Sequence, residues 1–281
     1  MSLGRQIRGV LAALAVGLVA AGPANAQVAS KGEQPPPTIA IIIDDMGHDP
    51  VQGERLIKLD QPLTLAFLPY RRYTRALAEE AHGRGKEIML HAPMANTHHY
   101  DLGPGGLKPE MDEHATTVTL RRALQSIPYV QGVNNHMGSL LTQKRSNMDW
   151  IMTELVQYPL YFVDSRTIAA TVAADSAEAH RVPNLTRDVF LDHLQTEEFV
   201  DRQFKLLIET ARRNGTAIGI GHPHKVTVDY LEKHLPQLDE QGIAVATVSG
   251  LWAMRHNNAP MFVDIKRPVV APLAKRKVGG E

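Results

Sequence analysis

Short runs of apolar residues alternate with amphipathic segments along most of the chain, from Thr38 to about Trp252. The runs are rich in Ile, Val and Leu and lack the polar alternation of a half-exposed strand, which is typical of strands buried on both faces. The predicted strands are Ile39–Ile43, Leu63–Phe67, Glu87–Leu90, Gly132–Asn135, Leu160–Val163, Ala217–Ile220 and Ile243–Val248. This pattern predicts a parallel sheet that is covered on both sides.

Between these strands, apolar residues recur at helical spacing. The predicted helices are Thr74–Gly83, Thr119–Ile127, Asn147–Val156, Glu197–Arg213 and Thr227–Leu235. Thr196 stands directly before two acidic residues and is a good N-cap, while Ser146 and Asp149 have the spacing of a capping box. The segments therefore carry local signals for helix starts as well as the helical period.

Strand followed by helix, repeated about seven times, predicts an α/β fold with helices outside a parallel sheet. A single (β/α) barrel, complete or incomplete, is the favoured architecture, and an open doubly wound sheet is the alternative. No second domain or internal repeat is indicated, so we expect one domain over residues 38–255.

The N-terminus has the three parts of a secretory signal peptide. Arg5 and Arg8 precede an apolar stretch at Val10–Ala21, and Ala24 and Ala26 form a small-x-small cleavage site. The stretch is shorter than the roughly 20 residues that a membrane-spanning helix needs. We therefore predict a signal peptide over residues 1–26, a linker over residues 27–37, and a mature protein in the periplasm without stable membrane insertion.

The chain carries 30 basic and 30 acidic residues, so no chain-wide attraction to nucleic acid or to an anionic membrane is indicated. It has no cysteine, which excludes disulfides and thiolate metal sites, but it has 13 histidines. Residues 256–281 form a basic tail with several prolines. A solvated tail is the favoured interpretation, and an arm for anionic cell-wall polymer is the alternative.

Candidate chemistry gathers where the predicted strands end. Asp or His residues follow five apolar runs, in the segments Asp44–Gly47, His91–Met94, Asn134–Ser139, Asp164–Thr167 and Gly221–His224, and Arg187–His193 precedes the helix at Thr196. The carboxyl ends of parallel strands meet at one edge, where α/β proteins form their sites. We therefore expect these side chains to lie close together.

The adjacent carboxylates of Asp44 and Asp45 come directly after an apolar run, which is costly unless positive charge compensates them. A single Asp after a strand is more often a helix cap, so the prediction depends on the convergence of Asp45, His91 and His136. Two histidines, one carboxylate and an open position form a catalytic zinc arrangement. Zinc is the favoured metal, and Mn, Fe, Co or Ni also suit these ligands.

As a set, these motifs resemble the divergent polysaccharide deacetylase family, a branch of the NodB-like carbohydrate esterases. The similarity runs from about Thr38 to Trp252, through the segments Ile42–Gly47, Leu90–Met94, Asn134–Ser139, Val163–Thr167 and Gly219–Pro223. The resemblance implies an irregular (β/α) barrel of seven or eight strands, a divalent metal that is usually zinc, and hydrolysis of N-acetyl groups on sugars.

The resemblance also implies roles for single residues. Asp44 matches the general base, Asp45 the metal-binding aspartate and His222 the general acid, and His91 and His136 are the expected metal histidines. Two features depart from the family pattern: the second histidine comes from another strand, and the arginine–proline motif that braces the base is absent. The residues expected to orient groups or bind substrate are Arg166, which would substitute for that arginine, Asn135, and Asp164, which would orient His222 or contact sugar hydroxyls.

The predicted function is a metal-dependent hydrolase that removes N-acetyl or O-acetyl groups from an envelope polysaccharide such as peptidoglycan. The alternative is a catalytically inactive glycan-binding or scaffold protein that assists cell-wall hydrolases. A paired Asp44 and Asp45 with three histidines favours chemistry over binding alone. Candidates for stacking against a sugar are Tyr70, Tyr73 and Tyr100, and His98 and His99 in a Gly-rich loop have no assigned role.

Overall fold

The structure is a computed structural model that describes residues 35–257. The predicted signal peptide at 1–26, residues 27–34 of the predicted linker, and residues 258–281 of the predicted tail lie outside the described residues. Within residues 35–257, no helix has the length and apolarity needed to cross a membrane.

Within residues 35–257, nine strands and eight α-helices follow one another in mostly alternating order. The strands are β1 (Thr38–Met46), β2 (Thr64–Phe67), β3 (Glu87–Met94), β4 (Val130–Met137), β5 (Tyr161–Asp164), β6 (Asn184–Thr186), β7 (Val189–Phe190), β8 (Thr216–Gly221) and β9 (Ala244–Ala246). The helices are α1 (Pro50–Lys58), α2 (Thr74–Gly83), α3 (Glu113–Ser126), α4 (Arg145–Leu155), α5 (Ala173–Ala179), α6 (Glu197–Asn214), α7 (Lys225–His234) and α8 (Val248–Arg255).

All strand pairs in the sheet are parallel, in the order β6-β5-β4-β3-β2-β1-β8-β7, with β9 paired to β1. β6 and β7 stand at opposite ends of this order although only Arg187 and Asp188 separate them along the chain. The sheet therefore curves round as a parallel half-barrel with an unpaired seam, which confirms the predicted incomplete barrel. The doubly wound alternative is wrong, because the strand order has no central switch point.

The two faces of the sheet contact different cores. On β1, Ile39, Ile41 and Ile43 pack against the surrounding helices, while Ala40 and Ile42 face the inside. Side chains of a strand alternate between faces, so a strand that is apolar on both sides reads as a continuous hydrophobic run. This is why the sequence located the strands but did not show which of their residues face inward.

Helix α8 closes the inside of the barrel at one end. Its residues Val248 and Leu251 belong to the inner core. The buried carboxylate of Glu87 accepts hydrogen bonds from Thr64 Oγ1 and Tyr161 Oη, each at 2.8 Å, and from the backbone N–H of Ser249 at 3.3 Å. A carboxylate at the first turn of a helix is favourable, so Glu87 anchors α8 to the sheet.

Several predicted elements need correction. Helices α1, α5 and α8 and strands β6 and β7 were not predicted. The predicted strand Ile243–Val248 is shorter, because Thr247 caps α8 by accepting a hydrogen bond from Gly250 N. The predicted capping box is wrong: α4 starts at Arg145, and the carboxylate of Asp149 accepts hydrogen bonds from Arg145 and from Ser176 in α5. Thr196 is the N-cap of α6, as predicted.

Candidate metal centre

The inward-facing positions of four strands change from apolar to polar at their carboxyl ends. Because side chains alternate along a strand, the inner face that carries Ala40 and Ile42 on β1 continues to Asp44. The same alternation applies to β3, β4 and β8, and it brings five side chains to one mouth of the barrel: Asp44, His91, Asn134, His136 and His222.

Asp45 reaches the same mouth by a different route. As the neighbour of Asp44 it would face outward on a regular strand. The β1–β2 register breaks between Ile43 and Met46, and Asp45 adopts a left-handed backbone with φ of 55°. A bulge of this kind redirects a side chain, and a left-handed non-glycine residue carries strain that such sites tolerate. The bulge therefore places two consecutive carboxylates on one side of the sheet.

Asp45, His91 and His136 form a compact cluster of possible metal ligands. Asp45 Oδ1 lies 2.9 Å from His136 Nδ1 and 3.3 Å from His91 Nε2, and the two nitrogens are 3.1 Å apart. A tetrahedral ion with bonds of about 2.0–2.1 Å requires its ligand atoms to be roughly 3.3 Å apart. The three atoms predicted as ligands are therefore close to the spacing that one ion requires.

Asn134 fixes which nitrogen of His91 carries the lone pair. Its Nδ2 donates to Asp44 Oδ1 at 2.7 Å, so its Oδ1 faces His91 Nδ1, also at 2.7 Å. A carboxylate accepts only, which sets the orientation of the amide, and the amide oxygen then requires a proton on Nδ1. His91 Nε2 is left unprotonated toward Asp45 and His136, as a metal-ligating histidine needs.

The buried carboxylates of the cluster favour a positive charge between the ligand atoms. Asp45 Oδ1 is buried, and despite its short contacts no well-directed hydrogen bond reaches it. Burial opposes ionisation of Asp45, but the neighbouring His136 and His91 nitrogens lower its pKa. Burial likewise disfavours a charged His91, but the charges of Asp44 and Asp45 raise its pKa. The donor set of two nitrogens and one carboxylate therefore fits a divalent cation.

His222 forms a second functional pair with Asp192, at the end of β8. His222 Nδ1 lies 2.9 Å from Asp192 Oδ1, and Asp192 Oδ2 accepts hydrogen bonds from His222 N at 2.6 Å and Thr227 Oγ1 at 2.8 Å. Burial opposes the charged imidazole, but Asp192, helped by Asp44 and Asp45, raises the pKa of His222 to about 9. With Nδ1 committed to Asp192, Nε2 is the nitrogen left to hold a transferable proton.

The sequence did not identify Asp192 as the partner of His222. Asp192 follows β7, a strand of two residues that is too short to be recognised by its pattern. It lies near His224 as well as His222. Because its oxygens already accept from two side chains and one backbone N–H, we interpret Asp192 as the residue that orients His222.

The family model for divergent polysaccharide deacetylases matches residues 41–252, which include all the residues of this centre. The chain belongs to the divergent polysaccharide deacetylase family. The resemblance found in the sequence is thereby confirmed.

Two relatives within this similarity are uncharacterized bacterial proteins. Protein YibQ of Escherichia coli (strain K12) is 39% identical over 195 residues, covering 69% of this chain and 61% of YibQ. A protein of Haemophilus influenzae (strain ATCC 51907 / DSM 11121 / KW20 / Rd) is 35% identical over 214 residues, 76% of each chain. This chain therefore spans less than two thirds of the length of YibQ.

Solved structures support the family fold. The uncharacterized protein ATU2773 from Agrobacterium tumefaciens C58 has a TM-score of 0.74 and 25% identity, covering 78% of this chain and 90% of ATU2773. The catalytic domain of a peptidoglycan N-acetylglucosamine deacetylase from Eubacterium rectale ATCC 33656 has a TM-score of 0.51 and 15% identity, covering 77% and 90%. At that identity the second likeness concerns the fold alone.

In this member of the divergent polysaccharide deacetylase family, Asn135 and Asp164 hold the rim of the barrel together. Asn135 Oδ1 accepts from Ser165 N at 2.9 Å, and its Nδ2 donates to Met137 O at 2.8 Å. Asp164 accepts from Arg166 N at 2.8 Å and Thr171 Oγ1 at 3.0 Å. Two roles were predicted for Asp164, orienting His222 or contacting sugar hydroxyls. Because Asp192 orients His222, only the contact with sugar hydroxyls stays a prediction.

The arginine whose charge interacts with the predicted base Asp44 is also not the expected one. Arg166 is exposed. Half-buried Arg187 donates to Ser165 O at 2.7 Å and Arg166 O at 2.9 Å, and its guanidinium lies 4.4 Å from the ring centroid of Phe190. Burial lowers the pKa of Arg187, whereas the charges of Asp164 and Asp44 oppose that change. In this family member the half-buried positive charge that interacts with Asp44 is therefore that of Arg187, whereas Arg166 is exposed.

Proposed function

We propose that this protein is a metal-dependent hydrolase that removes N-acetyl or O-acetyl groups from an envelope polysaccharide such as peptidoglycan. One observation carries the proposal: the Asp45–His91–His136 cluster lies beside two groups suited to proton transfer, Asp44 and the Asp192-oriented His222. Membership of a deacetylase family supports the same reaction class. Zinc is the metal we propose, because two histidines and a carboxylate are typical zinc ligands.

Asp45, His91 and His136 would hold a divalent ion, which would supply Lewis-acid chemistry at the acetyl group. Asp44 accepts the proton of the attacking water. Asn134 engages Asp44 Oδ1 at 2.7 Å, and among the described residues no hydrogen bond engages Oδ2, which is therefore the oxygen that takes the proton.

His222 completes the proton balance. Water adds to the acetyl carbon, the bond to the sugar nitrogen breaks, and acetate leaves. His222 gives its Nε2 proton to the departing amine, while Asp192 stabilises the charged imidazole and keeps its orientation. An O-acetyl ester needs the same groups, with an alcohol as the leaving group.

Acetate release tests the function. The full chain, loaded with Zn²⁺, should bind about one ion per chain and release acetate from N-acetylated glucosamine oligomers or peptidoglycan. Asp44→Asn should keep the metal and lose roughly 10²-fold or more of the rate, since general-base catalysis contributes that much. His136→Ala should lose the metal, whereas His114→Ala, which changes an exposed histidine on α3, should change neither quantity.

Binding of the oligomers without release of acetate would support the alternative function. A zinc-loaded protein that binds these oligomers but releases no acetate from amide or ester would overturn the hydrolase and support a glycan-binding or scaffold role.

The site of action is a separate part of the proposal. The sequence of residues 1–26 supports export to the periplasm. A mature chain that begins at Gln27 in the periplasmic fraction is the expected result. Recovery of the uncleaved chain in the cytoplasm would contradict it.

A further inference from the structure

Arg71 lies in the loop between β2 and α2, next to the end of β1, which carries Asp45. Leu68 N donates to Met46 O at 3.0 Å, and Tyr73 N donates to Gly47 O at 3.2 Å. These backbone hydrogen bonds fasten the β2–α2 loop to the end of β1. The position of Arg71 is therefore fixed at the rim of the metal centre.

A second loop confines Arg71 from another side. Gly103, in the Gly-rich segment after β3, has φ of 68°, and a Cβ added there would lie 3.1 Å from Arg71 Cζ. The absence of a side chain at Gly103 allows the guanidinium to pack against the backbone. Arg71 is thus held between two loops instead of extending freely into solvent.

This guanidinium has no anionic partner among residues 35–257. Arg71 is half-buried, and its Nε is buried without a hydrogen-bond acceptor. By contrast, two other half-buried arginines are paired with carboxylates: Arg55 with Glu232 at 2.6 Å and Arg121 with Glu154 at 2.7 Å. Leaving a confined, charged donor unsatisfied is costly, so the position favours binding of an external anion.

The surroundings of Arg71 connect it to the metal centre and to a surface suited to sugar. His48 interacts with both Arg71 and the metal-centre residue Asp45. Burial and the charge of Arg71 lower the pKa of His48, whereas the charge of Asp45 raises it. Tyr70, the neighbour of Arg71, is 43% exposed and packs against the same Gly-rich segment. An exposed aromatic ring beside a confined cation is a combination that binds a sugar carrying an acidic substituent.

We propose that Arg71 binds a carboxylate on the sugar polymer, beside the acetyl group that is removed. The inference rests on the proposed function and narrows its substrate class to acidic amino-sugar polymers. A planar carboxylate matches the fork of one guanidinium and carries a single negative charge. A phosphate monoester carries more negative charge than a single guanidinium neutralises.

The test compares N-acetylmuramic acid with N-acetylglucosamine, which lacks the lactyl carboxylate, by calorimetry or NMR titration on the zinc-loaded full chain. We expect the acid to bind roughly tenfold to a hundredfold more tightly, the range for a charged hydrogen-bonded pair. Arg71→Gln should reduce this preference to about twofold or less, and Arg71→Lys should lose most of it because the planar fork is gone. Arg72→Gln is the matched control, since Arg72 is exposed and lies over Tyr73; it should keep the preference.

Circular dichroism verifies that each variant folds. If Arg71→Gln does not fold, the binding preference is tested with Arg71→Lys alone. Equal affinity for the two sugars in the wild type, or a preference that survives replacement of Arg71, would overturn the inference. Tighter binding of N-acetylglucosamine 6-phosphate than of the carboxylic acid would overturn the assignment to a carboxylate.

Acetate release, measured in parallel, separates the two proposals. Hydrolysis without an Arg71-dependent preference for the acidic sugar would overturn the proposed subsite and support the proposed hydrolase. An Arg71-dependent preference for the acidic sugar without hydrolysis would overturn the proposed hydrolase and support the proposed subsite.

Discussion

Replacing Asp192 with asparagine tests the link between the fold and the proton on His222. Asp192 is fully buried and contacts both the side chain and the backbone N–H of His222. Asp192→Asn preserves the shape but removes the negative charge. It also places an amide N–H₂ group among donors, so that one of the existing hydrogen bonds is lost.

The size of the effect follows from the pKa of His222. Burial lowers it, yet Asp192 and the more distant Asp44 and Asp45 raise it to about 9, from an ordinary value of 6.5. That difference corresponds to about 3 kcal/mol in favour of the charged imidazole. Without the charge of Asp192, burial is opposed only by the two distant carboxylates, so the pKa should fall toward 6.5.

The sign of the stability change follows from the same values. A raised histidine pKa contributes stability that is fully present below the unfolded value of about 6.5 and is lost as the pH rises to about 9. The pKa of Asp192 is lowered by His222 against the effect of burial, so its own contribution is lost only in acid. The pH-dependent part of the destabilisation by Asp192→Asn should therefore be largest near pH 5–6 and should shrink toward pH 9.

NMR titration of the histidine ring protons in metal-free protein measures the pKa, with the His222 signal assigned from its loss in His222→Gln. Asp188→Asn is a matched control, because Asp188 lies in the same segment but bonds Ile218 N instead of His222. Denaturant unfolding at several pH values measures the stability. A His222 pKa that stays near 9 in Asp192→Asn would refute the reasoning, and so would a wild-type value already near 6.5.

Three further predictions follow. Asn134→Leu should weaken zinc affinity by roughly 10- to 100-fold, as loss of a group that orients a metal histidine does, because His91 Nδ1 loses its acceptor; competition with a chelator measures this. Gly132→Ala should destabilise the fold by about 1–3 kcal/mol, since the new Cβ would lie 2.3 Å from the ring of Tyr161, and an unchanged denaturation midpoint would contradict that packing. Removing zinc with a chelator should lower the Tm of the wild type and leave that of His136→Ala unchanged, because only bound metal stabilises by mass action.

The ligand cluster illustrates how far local sequence reasoning reaches. Asp45, His91 and His136 were predicted from their positions after apolar runs, and the structure brings their ligand atoms within 3.3 Å of one another. Strand alternation also indicates that Asn134, and not Asn135, faces the metal centre. The sequence analysis nevertheless chose Asn135 as the residue that orients groups or binds substrate. Nothing in the alternation predicts Asp45, whose side chain depends on a bulge between β1 and β2.

The sequence by itself determined the class of fold, the strands that carry chemistry and the family, because burial of a parallel sheet on both faces and motifs at strand ends leave local patterns. Only the tertiary structure decided the partners that tune this chemistry. Asp192 reaches His222 because β7 pairs with β8, Arg187 donates to Ser165 O in the loop after β5, and Arg71 is confined by Gly103. Each of these contacts joins loops that are distant or irregular along the chain, and no periodic pattern records which loops meet once the sheet curves into a barrel.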